Sequence, residues 1–252
     1  MSDFDIAHEF PGGIPSIPLE HAARRVVSFC CSPTSGWRTY DLAGAAARAA
    51  GHFDTVAPWS LLWADALAGQ LSVGDLGGFS LERRTSFAQR ISAVPADKDL
   101  ADFNAAEREA VHNLCTFGYT GVWAPKSTKV SSLYRPRAVP ILDGYVAMAF
   151  GFKREGFSEG KEPRWNRIAR VIDGMAGFLD EHRGQMIELR EIVRASVEDI
   201  DVAPDLRLLD IVIWCSQDDL LERSGKKRNA WLDAAHRPYE IDPVTSVPVT
   251  AG

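Results

Sequence analysis

Residues 121–146 read Gly121-Val-Trp123-Ala-Pro-Lys126-Ser-Thr-Lys129-Val-Ser-Ser-Leu-Tyr134-Arg135-Pro-Arg137-Ala-Val-Pro140-Ile-Leu-Asp143-Gly-Tyr-Val146. Four cations and one carboxylate share this stretch. Asp143 stands where a proline-bearing loop gives way to an apolar helix, so it either caps that helix or does chemistry. A lysine such as Lys129 becomes a nucleophile when burial or neighbouring cations depress its pKa. Arg135 and Arg137 flank Pro136 in a loop suited to phosphate contact. Further on, Lys153, Arg154, Lys161 and Arg164 surround Gly156 and Gly160 in a second basic loop.

The whole chain carries a net charge of −6, yet residues 121–170 hold ten Lys/Arg against four Asp/Glu. That segment is +6 and the remainder −12. An acidic body with one basic stretch keeps a protein soluble while offering a patch to phosphates. The same charges could equally be a solvated face balanced by nearby acids.

Several site classes are excluded. The chain has no Gly-x-Gly-x-x-Gly, no phosphate-binding P-loop, no Gly-x-Ser-x-Gly elbow and no His-Glu-x-x-His helix, so no cofactor and no metal is expected. Asp199, Asp201 and Asp205 lack the glycine and terminal glutamate of a calcium loop. Four cysteines without metal or redox spacing read as structural thiols of a reducing compartment. With no secretory signal pattern and no bilayer-length apolar run, a cytoplasmic protein away from membranes is expected.

The elements that position these residues are helical throughout. A proline- and glycine-rich arm (1–17) precedes one all-α domain (18–237), and an irregular tail (238–252) follows. Helices are predicted from Pro18 to Cys31, Asp41 to Ala50, around Pro58-Trp59 with Leu62, Trp63, Ala66 and Leu67 inward, Ser80 to Ile91, and Asn104 to Cys115. Beyond the basic segment they run from Gly144 to Phe150, from Pro163 to a stop at Gly184, from Met186 to Val197, and from Pro204 through Trp214. The last is so apolar that it should be buried, with Asp210 as a buried polar partner and Trp214 in the core.

Segment 116–150, with Gly118, Gly121, Ser-Thr-Lys129-Val, Arg135-Pro-Arg137 and Val-Pro-Ile-Leu-Asp143-Gly-Tyr-Val146, resembles the helix-hairpin-helix signature of base-excision DNA glycosylases. The resemblance implies an all-α, glycosylase-like fold with a degenerate helix-hairpin-helix. It also implies a catalytic aspartate at Asp143 and a Schiff-base lysine position at Lys129. A carboxylate there would stabilise the oxocarbenium-like state formed as an N-glycosidic bond breaks. The base would be extruded and stacked on Trp123 or Tyr134. Gly121, Lys126, Lys129, Arg135, Arg137, Lys153, Arg154 and Arg164 would face the phosphates of duplex DNA.

Two departures stand out. Trp123 replaces the second glycine of the hairpin, and Lys129 precedes Asp143 by only 14 residues. Across its whole length the chain is similar to an uncharacterised, mainly actinobacterial family. The alternative is a non-catalytic helical module that binds a protein partner or nucleic acid, with the hairpin kept as architecture.

Overall fold

The structure, a computed structural model, describes residues 18–33, 35–158 and 163–223, with the side chains of Pro163 and of 216–223 excepted. The N-terminal arm, Lys161 and the C-terminal tail lie outside these residues. Among the described residues the chain is all helical, and its one β-bridge joins Tyr119 to Val122.

Helix α1 (Leu19–Cys31) buries Leu19, Ala22, Val26, Phe29 and Cys30 on a single stripe. A six-residue π-helical segment (Trp37–Leu42) runs directly into α2 (Ala43–Ala49). The predicted Asp41–Ala50 helix therefore starts earlier and with a wider first turn, which buries Trp37, Tyr40 and Asp41.

Residues Pro58–Leu67 form a 3₁₀ helix and not the predicted α-helix. Three residues per turn align Leu61, Ala64 and Leu67, so Leu61 and Ala64 are buried and Leu62, expected inward, is 51% exposed.

The short α3 (Val73–Gly77) is closed by a capping box between Ser72 and Asp75. Helices α4 (Leu81–Ser92) and α5 (Ala105–Cys115) are capped by Ser80 and Asn104, as their sequences predict.

A tight turn with Gly121 at φ 85° leads from α5 into α6 (Ala124–Tyr134), with Pro125 in the first turn of α6. Helix α7 (Gly144–Ala149) follows the proline loop. Helices α8 (Pro163–Glu181) and α9 (Arg183–Arg194) are separated at His182, so Gly184, the expected stop, lies inside α9.

Helix α10 (Asp205–Arg223) is buried over its described side chains, from Leu206 to Cys215, apart from the half-buried Trp214. It packs against α1 and α7, while α6 lies along the 3₁₀ helix and α1 along α9. Residues of α1, α6, α7, α10 and the 3₁₀ helix thereby meet at one cavity. No described helix is long and apolar enough to cross a membrane.

Candidate active site

Helix α6 is buried from Ser127 to Tyr134, and its small polar residues Ser127, Thr128, Ser131 and Ser132 are buried with the rest. Each is buried without penalty where its hydroxyl finds a backbone partner. Ser131 donates to the Ser127 carbonyl at 2.9 Å, and Ser127 donates to the Phe117 carbonyl at 3.0 Å. Thr128 Oγ1 accepts from the Leu142 amide at 3.0 Å, which fastens the loop carrying Asp143 to the helix carrying Lys129. The Tyr40 hydroxyl donates to the Lys129 carbonyl and holds the same turn from the other side.

Lys129 and Asp143 therefore reach one cavity of about 450 Å³, within the range of small-molecule sites. Lys129 is 7% exposed, and its Nζ donates to the Leu67 carbonyl at 2.6 Å, capping the 3₁₀ helix. Burial pushes its ammonium below the ordinary lysine range, opposed by Asp143 and Asp210.

Asp143 is the N-cap of α7: Oδ1 accepts from the Tyr145 and Val146 amides at 2.9 and 3.1 Å. Oδ2 accepts no hydrogen bond among the described residues, and the half-buried side chain lies on the cavity wall. Burial raises its carboxyl above the usual range, against Lys129 and the two amides, which lower it. Capping and chemistry are thus compatible in this residue, one oxygen for each.

Two further charges line the cavity, Arg207 and Asp210 of α10. Arg207 forms a fork with Asp41, Nε to Oδ1 at 2.7 Å and Nη2 to Oδ2 at 2.9 Å, and its Nη1 donates to Asp210 Oδ2. Burial pushes the Asp210 carboxyl up to about 7, with Arg207 opposing and Asp143 and Asp41 adding to the rise. The signal for this pair was present in sequence as two charges inside an apolar helix; their partner Asp41, 166 residues from Arg207, was not. Apolar walls come from Phe29, Ile141, Ile211 and Trp214, with the Phe29 and Trp214 rings edge to face at 6.2 Å.

The other expected site residues fall elsewhere. Lys126 Nζ is bound to Asp75 Oδ2 at 2.7 Å. Burial alone would raise the Asp75 carboxyl, but its bonds from Lys126 and Ser72 hold it below the usual range. That carboxylate sits against the hairpin glycine: a Cβ on Gly121 would lie 2.1 Å from Asp75 Oδ1. An internal anion therefore occupies the position expected for a phosphate, and like charges repel there.

Arg137 is spent on Asp99 in a two-bond pair at 2.9 and 2.7 Å. Arg135 donates to the Val94 and Tyr134 carbonyls at 2.7 and 2.9 Å. Arg164, only 4% exposed, is sandwiched between the rings of Trp123 and Trp165 at 4.6 and 4.8 Å, so neither it nor that face of Trp123 is open to nucleic acid.

Tyr134, expected to stack on a base, is a core residue packed edge-on against Phe53 at 5.0 Å. The aromatic residues at the cavity are instead Phe29 and Trp214.

Lys153 and Arg154 remain exposed, and Arg154 lies against the start of α7. A Cβ on Gly144 would lie 2.5 Å from Arg154 Cγ. The Arg154 guanidinium lies 5.2 Å over Tyr145, whose ring meets Trp214 at 5.0 Å.

Among the described residues no group of three or more His, Cys, Asp or Glu side chains could hold a metal ion. Cys30, Cys115 and Cys215 are buried free thiols and Cys31 is exposed.

No curated protein and no solved structure matches the chain. Residues 38–217, which include every charged group of the cavity, match a family of unknown function (DUF6308), and the protein belongs to that family.

Proposed function

We propose that the protein is a glycosylase-like hydrolase that acts on an N-glycosidic bond in DNA, with Asp143 and Lys129 in its active site. The observation that carries this reading is their meeting, from two separate elements, at one cavity with an unengaged carboxylate oxygen. Cleaving the bond builds positive charge on the sugar, and the Asp143 carboxylate would stabilise it in a site where burial strengthens electrostatic interactions. Lys129, held to the Leu67 carbonyl, would help keep the Asp143 carboxylate charged while water, the nucleophile, adds to C1′.

The base would stack on Trp214, and the phosphates would lie along Lys153 and Arg154 beside α7. Lys126, Arg135 and Arg137 are excluded from that surface by their own partners.

A second reading has its own support. Asp75 against the hairpin glycine and the internal pairing of three basic residues favour a non-catalytic helical module that binds a protein or nucleic acid.

The two separate on base release from duplexes that each carry one altered base. The hydrolase reading predicts release by the wild type and none by Asp143→Asn. If no duplex loses a base, the module reading replaces it.

A further inference from the structure

Two carboxyl groups line the cavity, Asp143 at the start of α7 and Asp210 on α10. Their cations are unequally available. Arg207 gives two of its bonds to Asp41, behind the wall, and one to Asp210. Lys129 turns its ammonium to the Leu67 carbonyl. Arg48, near Asp41 from the far side, donates to the Leu133 carbonyl at 3.4 Å and does not line the cavity. Tyr40 beside the cluster is a neutral phenol whose ionisation burial opposes, and burial likewise keeps the Cys30 thiol neutral. Asp41 and Asp210 thus share one guanidinium, and among the described residues no cation hydrogen-bonds to a single cavity carboxyl alone. A proton on one carboxyl relieves that shortage.

We propose that Asp210 is a second functional carboxyl of this cavity, held by Arg207 to deliver a proton to the leaving base while Asp143 faces the sugar. This assignment rests on the glycosylase reading above. As the C1′–N bond breaks, its electron pair goes to the base nitrogen, which takes the proton from Asp210. Water adds to C1′ and gives its proton to the Asp143 carboxylate. Return of that proton to Asp210 through solvent restores the pair, and the net reaction consumes one water. The raised Asp210 carboxyl, with burial as its main cause, agrees with this sharing of one guanidinium.

The test reads protonation first. Carbon-13 NMR of labelled aspartate carboxyls in the free protein should show one group titrating near neutral pH. It should be missing in Asp210→Asn and move to lower pH in Asp143→Asn, which removes a neighbouring negative charge. No carboxyl titrating between about pH 6 and 8, or a midpoint indifferent to Asp143→Asn, overturns the assignment.

The second readout uses a duplex bearing a pyrrolidine abasic analogue, a cation, beside one bearing the neutral tetrahydrofuran analogue. Deprotonating Asp210 adds negative charge, so affinity for the cationic duplex should rise several-fold across the same midpoint and stay flat in Asp210→Asn. A flat wild-type profile with binding intact overturns the donor role alone. Failure to bind either duplex at any pH overturns the glycosylase reading beneath it.

Discussion

Replacing Arg207 with methionine tests whether the charges around the cavity are held as a unit. Arg207 is 8% exposed, and its guanidinium makes three charge-assisted hydrogen bonds, two to Asp41 and one to Asp210. At roughly 1.5–3 kcal/mol each, the gross loss is large, and part is returned because the arginine no longer has to be desolvated. Breaking a buried pair from one side costs about 3–5 kcal/mol, because the orphaned carboxylates stay behind. The Asp210 carboxyl, already raised, would then lie further above its unfolded value. A carboxyl whose folded pKa is raised favours the folded state at low pH, and that advantage is lost as pH rises through the folded value. The penalty of Arg207→Met should therefore be largest at about pH 8 and shrink toward pH 5, where the orphaned Asp210 carboxyl is neutralised. Urea unfolding of wild type and variant at both pH values measures it. A loss below about 1 kcal/mol that does not change with pH would refute the reasoning, since the unit would then carry no coupled charge.

Asp143→Ala should cost about 1 kcal/mol in urea unfolding through loss of the α7 cap, while Asp143→Asn, which still caps, should cost little. Gly121→Ala should destabilise by at least about 1 kcal/mol, because φ is 85° and the added carbon meets Asp75 Oδ1; thermal unfolding reads this directly. The raised Asp210 carboxyl means that the folded protein holds a proton the unfolded chain has released between about pH 4 and 7. Its contribution to stability should therefore fall as pH rises through that window, and Asp210→Asn should flatten the dependence in pH-resolved urea titrations. Lys153→Glu with Arg154→Glu should lower affinity for duplex DNA and reduce its salt dependence, whereas Arg137→Glu should leave both nearly unchanged.

Helical class and most helix starts were legible because apolar spacing and caps are local. Ser80, Asn104 and Asp143 cap helices through amides two or three residues away. The inward face of the Pro58–Leu67 helix differs from the expected one because a 3₁₀ turn of three residues brings different residues inward than a turn of 3.6. Helix α3 was missed although Ser72 and Asp75 have capping-box spacing; at five residues it has almost no periodicity to detect.

The basic segment was legible as charge but not as surface. Whether Lys126 faces a phosphate depends on Asp75, 51 residues away, and Arg137 depends on Asp99, 38 residues away. Lys129 and Asp143 were legible as candidates from residue type and spacing. Their common cavity was not, because it is also built from α1, α10 and the 3₁₀ helix. Tyr134 and Trp123 could be read as aromatic but not as already packed, since Phe53 and Arg164, which cover them, come from distant segments.

The most direct test of the account is fluorescence anisotropy with an intact duplex and a duplex carrying a tetrahydrofuran abasic site, at low and near-physiological salt. Salt-sensitive binding with a clear preference for the abasic duplex is expected, weakened by reversing the charges of the exposed Lys153 and Arg154. No binding at low salt, or equal affinity for both duplexes, would contradict it.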